Sequence, residues 1–213
     1  AYRAYNIISL NPGHAELNSD EIINKCFQTI KESTKYISEG KIRGIGISSQ
    51  GEAFTLLDKK GNTLTNAFVS SDIRADEYAK NWPAFFGEDK LYRISGHTPH
   101  PMFSLFKLLW VKDNMQAYWE KAHKFLCFED LLAFRLGVKN PAIGYSLAGR
   151  TMLFDIKNSI WSREILDSID ITESQLAIPM PSGSISGMIS KEIARKLNLQ
   201  NDTIIVTGGH DQV

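Results

Sequence analysis

Asp211, an acidic residue that follows two glycines, is the first candidate for chemistry in this sequence. The run 203–206 before the glycines is rich in β-branched side chains, which predicts a buried strand. Gly208 and Gly209 allow the backbone to turn sharply or to approach a ligand closely. Because open α/β sheets bind ligands just beyond the carboxyl ends of their strands, Asp211 is a candidate for acid–base or metal chemistry. The alternative is an ordinary turn, in which Gly and Asp are both common.

Two further polar clusters stand beside predicted strands and are candidates for the walls of a ligand site. Residues 49–52 read Ser-Gln-Gly-Glu, and residues 70–74 read Ser-Ser-Asp-Ile-Arg. Polar links between strands are common for solvation alone, so either cluster by itself needs no functional explanation. Their occurrence on both sides of the same strands adds weight to a functional interpretation.

Three familiar motif patterns fail in this chain. Residues 44–49 nearly match the dinucleotide-binding GxGxxG, but the third glycine is absent and a strand follows instead of a helix. The GxSxG of serine hydrolases fails because Gln50 stands where the second glycine is needed. His97 and His100 have a metal-ligand spacing, but the prolines on either side of His100 predict an irregular loop. No metal site is predicted.

Alternating strand and helix patterns position these candidates. Strands are predicted at 42–48, 53–57 and 67–69, with a Gly-containing turn at 58–62. Helices are predicted at 19 to about 38, 72–82, 87–94, 125–136, 162–169 and 191–197. Ser19 is the expected N-cap of the first helix, and Pro83 is the expected break between the second and third. Glu129 and Asp130 are expected to cap the 125–136 helix or to face solvent.

The composition is that of an ordinary globular protein. The 213 residues are 43% hydrophobic and 23% charged, enough to bury the core of one large domain or two small ones. Lys plus Arg equals Asp plus Glu at 24 each, so no overall basic field favours nucleic acid or an anionic membrane. No apolar run approaches the roughly 20 residues that span a bilayer, and no signal peptide is recognised. Cys26 and Cys127 lie far apart without metal-ligand spacing, which favours free thiols in a reducing cytoplasm.

A series of segments, taken in chain order, carries a family resemblance. They are Pro12-Gly-His-Ala-Glu16, Ile45-Gly-Ile-Ser-Ser-Gln50, Leu57-Asp58 with Gly61, Ala67-Phe-Val69, Asp72-Ile-Arg74, Ser104-Leu-Phe-Lys107-Leu-Leu-Trp110, Gly149-Arg-Thr-Met-Leu-Phe-Asp155 with Trp161, and Gly208-Gly-His-Asp-Gln212. In order and spacing this series resembles the N-terminal domain of the FGGY carbohydrate kinases, which include glycerol, xylulose, gluconate and fuculose kinases. The resemblance covers nearly the whole chain.

The resemblance implies a fold and an activity. The fold would be α/β, of the ribonuclease-H-like (actin-like ATPase) type, with a mixed central sheet and an inserted helical lobe over the sugar site. The activity would be ATP-dependent phosphorylation of a sugar or polyol hydroxyl in the cytoplasm, with Asp211 as the catalytic base. ATP and Mg²⁺ would be the cofactors, mostly bound by regions outside this chain. The resemblance is also compatible with a homo-oligomer.

Motif position assigns the remaining site residues by resemblance. The substrate-contacting positions are Gly51, Glu52, Ser70, Asp72, Met102 and Gln212, and the glycines that keep the backbone open for nucleotide phosphates are Gly208 and Gly209. Where this chain has Gly51, glycerol kinases have Arg, and where it has Ser70, many family members have Trp. This chain therefore lacks the guanidinium group and the aromatic ring that those kinases have at the two positions. The expected substrate is a sugar or polyol bulkier than glycerol.

The same resemblance places two family parts outside these residues. The opening phosphate-loop hairpin is expected before Ala1 and the adenine-binding domain after Val213, so residues 1–213 alone are expected to be inactive as a kinase. One alternative is a non-catalytic sugar-sensing or scaffold module on the same fold. The other is a different actin-like ATPase, such as an acetate kinase or chaperone relative, which lacks the combination of Asp72-Ile-Arg74 with Asp211-Gln212.

Overall fold

The computed structural model describes residues 1–37 and 40–212, in which strands and helices alternate along the chain. The strands are β1 (Glu16–Leu17), β2 (Gly44–Ser49), β3 (Phe54–Leu57), β4 (Ala67–Phe68), β5 (Lys124–Cys127), β6 (Ala142–Gly144), β7 (Phe154–Asp155), β8 (Ile160–Trp161), β9 (Ile178–Met180), β10 (Ile185–Met188) and β11 (Ile204–His210). The helices are α1 (Ser19–Thr34), α2 (Asp76–Phe86), α3 (Glu88–Ser95), α4 (Ser104–Asn114), α5 (Gln116–Trp119), α6 (Phe128–Arg135), α7 (Tyr145–Gly149), α8 (Arg163–Ser168) and α9 (Lys191–Leu197). This alternation confirms the predicted α/β class.

The strands beside the predicted site belong to separate sheets. In one sheet, β2 pairs in parallel with β11, and β11 pairs antiparallel with β10. In another, antiparallel pairs join the strands in the order β1-β4-β3-β5. A parallel pair joins β6 to β9, and β7 forms a hairpin with β8. The strands β2 and β3, although consecutive in sequence, therefore do not pair with each other, and the sheet that contains β2 and β11 is mixed.

The core is built around β3 and α4. Every residue of β3 is buried, and the α4 residues from Ser104 to Leu109 are all buried. A fully buried leucine or phenylalanine contributes about 1.5–3 kcal/mol to stability, so these two elements anchor the fold. The amine-bearing Lys107 is buried among them. Because α4 is buried in the core, its polar side chains can hold the loops that pack against it.

The first helix is confirmed, but its ends differ from the prediction. It ends at Thr34, and Ser38, near its predicted end, lies outside the described residues. Asn18 is the N-cap, because its side-chain oxygen accepts the amide of Glu21 at 2.9 Å. The prediction of Ser19 was wrong by one position, since Asn and Ser cap helices about equally well. Ser19 is instead buried in the first turn.

Other helix boundaries were also wrong: the helix predicted to begin at residue 72 begins at Asp76. The predicted helix at 125–136 begins only at Phe128, because the residues before it pair with β3 as β5. A short apolar run such as 125–127 fits a buried strand as well as a helix. Pro83 does not break α2, which continues to Phe86 while the carbonyl of Pro83 accepts the amide of Gly87 at 2.8 Å.

The last strand is longer than predicted. The sequence predicts a strand at 203–206 followed by a turn, but β11 continues through both glycines to His210. Its register against β2 shifts between Thr207 and His210, as in a β-bulge. Glycines are typical of bulges as well as of turns, so the sequence pattern alone does not separate the two.

Neither a membrane-spanning helix nor a metal-ligand cluster occurs in the described residues. No helix in 1–37 or 40–212 combines the length and apolarity that crossing a bilayer requires. Within the same ranges, no group of at least 3 His, Cys, Asp or Glu side chains is arranged to hold a metal ion. Cys26 and Cys127 are free cysteines, and Cys127 is buried.

Candidate active site

Asp211 lies directly beyond the carboxyl end of the parallel pair β2 and β11. Its amide donates to the carbonyl oxygen of Ser49, the last residue of β2, at 3.0 Å. Its side chain is 49% exposed, and Oδ1 lies 3.5 Å from Nε2 of His210. It also lines a cavity of about 360 Å³ between α1 and β2. Its backbone is therefore fixed while its carboxylate is accessible, which is the arrangement that a general base requires.

Gly208 brings β11 into close contact with β2. A Cβ atom on this residue would stand 2.0 Å from the carbonyl oxygen of Ile47, a separation that no side chain permits. The amide of Gly208 donates to Oε1 of Glu129 at 2.7 Å. The carbonyl of Gly209 accepts the hydroxyl of Ser48 at 3.0 Å. The close approach that Gly208 permits is therefore made to the neighbouring strand, and its amide is already occupied.

Glu52 is held in a strained backbone conformation between β2 and β3. Its φ angle is +59°, in the left-handed region, and its carbonyl oxygen accepts the hydroxyl of Ser104 at 2.9 Å. Its side chain is 3% exposed and forms an ion pair with the guanidinium of Arg150. Such a conformation costs about 1–3 kcal/mol in a non-glycine residue and persists where the surrounding structure fixes it, often at functional sites. Glu52 therefore presents a fixed, paired carboxylate.

Arg150, at the C-terminus of α7, is a site residue that the sequence reasoning does not assign. Its Nε and NH2 groups contact the carboxylate of Glu52. The guanidinium also lies 4.9 Å from the ring centre of Phe103 and donates towards Sδ of Met102 at 3.8 Å. Burial and then the charge of Arg150 lower the pKa of His97. The available signal was Gly149-Arg-Thr, which carries the family resemblance without indicating a role.

His210 is a second residue that the sequence reasoning does not assign to the site. Its ring packs over Gly51, because a Cβ atom on residue 51 would stand 2.8 Å from Cδ2 and Nε2 of the ring. Its amide donates to Oγ of Ser146 at 3.0 Å, and its side chain is 11% exposed. The small residue at 51, which the sequence relates to substrate size, makes room for His210 in this chain.

Asp72 is fully buried, and its carboxylate is used by the protein itself. It accepts the amide of Ala15 at 2.6 Å and the Nε of Arg74 at 2.8 Å. Arg74 also pairs with Glu16 at 2.6 Å. Asp72 therefore ties the segment before β1 to the loop after β4. Ser70 lies partly buried two residues earlier, and substrate contact by either residue stays a prediction.

Lys107 joins α4 to the same loop. Its Nζ, fully buried, donates to the carbonyl oxygen of Val69 at 2.9 Å. Burial lowers the pKa of Lys107 to about 7, although the charges of Asp72 and Glu52 act to raise it. Together with the bond from Ser104 to Glu52, this contact makes α4 the support of both polar loops.

Most of the predicted site residues are brought together in one connected region. Glu52 and Met102 meet at Arg150, and Gly51 meets both Arg150 and His210. His210 then leads to Asp211, with Gln212 exposed beside it. Ser70 and Asp72 are attached to this region through the loop that Lys107 holds, at Val69.

Fold and site together define an α/β protein in which a strand-end carboxylate stands near a buried Glu–Arg pair, an arrangement suited to a small polar ligand. The N-terminal domain of the FGGY family of carbohydrate kinases matches residues 1–213, and the chain belongs to that family. The family predicted from the sequence is therefore confirmed.

Individual relatives agree with this assignment. A glycerol kinase from Thermococcus kodakarensis is 34% identical over 188 residues, which are 85% of this chain and 37% of that protein. The structure of ligand-bound xylulose kinase from Lactobacillus acidophilus matches with a TM-score of 0.91 and 27% identity, over 98% of this chain and 42% of that one. Plasmodium falciparum glycerol kinase with ADP matches with a TM-score of 0.87 and 25% identity, over 97% and 42%. The chain spans less than half the length of these proteins.

Proposed function

We propose that the protein phosphorylates a hydroxyl group of a sugar or polyol at the expense of ATP, with Asp211 as the catalytic base. The observation that carries the proposal is the accessible carboxylate of Asp211, fixed by Ser49 at the end of two parallel strands and linked through His210 to the Glu52–Arg150 pair. Membership of a carbohydrate kinase family supports the same chemistry. We also propose that the fold is of the ribonuclease-H-like, actin-like ATPase type.

Asp211 would act on the substrate hydroxyl directly. It would take the hydroxyl proton as that oxygen bonds the γ-phosphorus and ADP departs. A positioned base of this kind contributes on the order of 10²–10⁴ in rate. The half-exposed Asp211 side chain can reach a ligand, whereas the carboxylates of Glu52 and Asp72 are buried and paired.

The residues around Asp211 fit ATP and Mg²⁺ only in part. Gly208 and Gly209 carry no side chains that would block a nucleotide, but the Gly208 amide is already bonded to Glu129. Asp211 supplies one accessible carboxylate, and a Mg²⁺ ion bound with nucleotide prefers one or two carboxylates together with phosphate oxygens. ATP supplies the phosphoryl group when bound. We therefore place most ATP and Mg²⁺ contacts in regions outside residues 1–213.

The substrate would lie between Asp211 and the Glu52–Arg150 pair. The guanidinium of Arg150, whose side chain is 24% exposed, offers donors that its pairing with the nearly buried carboxylate of Glu52 holds in a fixed arrangement, which suits the hydroxyls of a sugar or polyol. Gly51 and Met102 would shape the pocket, and Gln212, exposed beside Asp211, would reach an outer hydroxyl.

The free thiols of Cys26 and Cys127 favour a reducing compartment such as the cytoplasm.

The test is a panel of sugars and polyols with ATP and Mg²⁺, assayed on the full-length protein. Asp211→Asn should lower kcat for the accepted substrate by about 10²–10⁴-fold while substrate binding, measured by calorimetry, is retained. Asp202→Asn, which makes the same charge change in an exposed turn before β11, should behave as wild type. Equal turnover in Asp211→Asn and wild type would remove Asp211 from the mechanism. Sugar binding without turnover in wild type would favour the non-catalytic sensing module instead.

A further inference from the structure

Glu129 is a buried acidic residue that the proposed reaction does not use. It lies in the first turn of α6 and is 1% exposed, so the expectation that it faces solvent or caps the helix was wrong for Glu129, whereas the side chain of Asp130 does cap the helix. Its Oε1 accepts the amide of Gly208 at 2.7 Å, and its Oε2 accepts the amide of Gly144 at 2.6 Å. One carboxylate therefore joins α6 to the end of β6 and to β11.

The two amides belong to segments that meet beneath the site. A Cβ atom on Gly144 would stand 3.0 Å from the carbonyl oxygen of Gly208, so the two backbones are in close contact. Gly208 also lies at the point where the β11 register shifts against β2. Bulges re-aim the side chains that follow them, and here Asp211 follows three residues later.

Further along β11, other contacts hold the segment between the bulge and Asp211. The amide of His210 donates to Oγ of Ser146, and the amide of Asp211 donates to the carbonyl of Ser49, both at 3.0 Å. Ser146 lies in α7, directly after the strand that ends at Gly144. Glu129 therefore fixes the beginning of a short segment whose later amides are held by α7 and β2.

We propose that Glu129 is a positioning residue for Asp211, because its carboxylate holds open the β11 bulge that sets the direction of the catalytic side chain. The inference rests on the proposed function, in which Asp211 is the base. A carboxylate can accept from two amides at once through its two oxygens, and charge-assisted bonds of this kind are stronger than neutral ones. Burial raises the pKa of Glu129, while the amides of Gly144 and Gly208 act to lower it. A buried carboxylate is costly, and its placement between two amides offsets that cost.

Glutamine at this position tests the role with little change in size. Its amide oxygen can accept from one backbone amide, but its NH2 group then faces the other, donor against donor. In the full-length protein, Glu129→Gln should lower kcat by about ten- to hundredfold, while the KM for the sugar changes less than about twofold. The control is Asp130→Asn: Asp130 is equally buried in the same turn, and its Oδ2 accepts the amide of Cys127 at 3.0 Å. This variant should retain wild-type kinetics.

A double-mutant cycle with Asp211→Asn separates positioning from general damage. If Glu129 acts through Asp211, adding Glu129→Gln to the Asp211→Asn variant should lower its kcat further by less than about threefold. An equal loss in both backgrounds, an equal loss in Asp130→Asn, or wild-type kcat in Glu129→Gln would overturn the proposal. If Glu129→Gln does not fold, Glu129→Asp, which keeps the charge but is too short to span both amides, replaces it with the same criteria. A wild type that phosphorylates no substrate would instead overturn the proposed function.

Discussion

The ring of His210 stands so close to Gly51 that a Cβ atom on residue 51 would lie 2.8 Å from its Cδ2 and Nε2. The two residues come from the ends of neighbouring parallel strands, where His210 is in register with Ser49. The imidazole therefore fills the volume that a side chain at residue 51 would occupy. The shape of the proposed substrate pocket at this point depends on both residues together.

Gly51→Ala should displace the His210 ring and disturb the proposed substrate pocket. Overpacking by one methyl group costs about 1–3 kcal/mol, so we expect the KM for the sugar to rise about tenfold, with a smaller effect on the KM for ATP. Removing the ring should relieve the clash. Gly51→Ala combined with His210→Ala should therefore lose less than the sum of the two single losses in a double-mutant cycle.

Gly46→Ala is the matched control for that substitution. Gly46 lies in β2, and a Cβ atom there meets nothing within 4 Å among the described residues. The Gly46→Ala variant should therefore have the kinetics of wild type. Losses that add fully in the Gly51 and His210 cycle would contradict the interpretation that the two residues compete for one volume.

Local sequence patterns were enough to predict the strand-end position of Asp211 and most helices, because these depend on neighbours within a few residues. The roles of Arg150, Glu129 and His210 depend on partners distant in the chain. Arg150 is 98 residues from Glu52, Glu129 is 79 residues from Gly208, and His210 is 64 residues from Ser146. The periodicity of a sequence does not show which of its distant residues are in contact. The buried carboxylate of Glu129 was misread for the same reason, since an acidic residue in a first helical turn is ordinarily a surface feature.

Arg150→Lys should weaken sugar binding even though it keeps the positive charge. The guanidinium contacts Glu52 through both Nε and NH2, and a lysine ammonium cannot reproduce that fork. Glu52 is 3% exposed, so a poorly paired carboxylate there loses its fixed orientation. We expect the KM for the sugar to rise about tenfold, or ~1.4 kcal/mol, with the KM for ATP unchanged.

Arg163→Lys is the control, because the side chain of Arg163 is 88% exposed and pairs only loosely with Asp167 at 3.6 Å. Steady-state kinetics with sugar and ATP varied separately would measure both constants. A rise in the KM for ATP equal to that for the sugar would show that Arg150 supports the whole site and not the sugar pocket.

Lys107→Met should change how stability depends on pH. The folded-state pKa of Lys107 is lowered to about 7 by burial, whereas an unfolded lysine has a pKa of about 10.4. Between these two values the unfolded chain binds more protons at this residue than the folded protein, so Lys107 makes stability rise with pH. Methionine has a similar apolar stem and no titrating group. The free energy of unfolding of wild type relative to Lys107→Met should therefore increase from pH 7 to pH 9, by up to about 1.4 kcal/mol per pH unit.

The comparison between the two proteins isolates Lys107 from the groups that face it. These are Asp72, Glu52, Arg74 and Cys127, which are present in both proteins. Burial raises the pKa of the Cys127 thiol, so it makes stability fall as pH rises, and its contribution largely cancels in the difference. Urea unfolding of both proteins at several pH values gives the difference directly, and Lys112→Met on the same helix provides a lysine whose side chain is 29% exposed. If the difference in unfolding free energy between wild type and Lys107→Met stays constant from pH 7 to pH 9, Lys107 keeps its proton in the folded protein. The carboxylates of Asp72 and Glu52 would then stabilise the charged amine against the cost of burial.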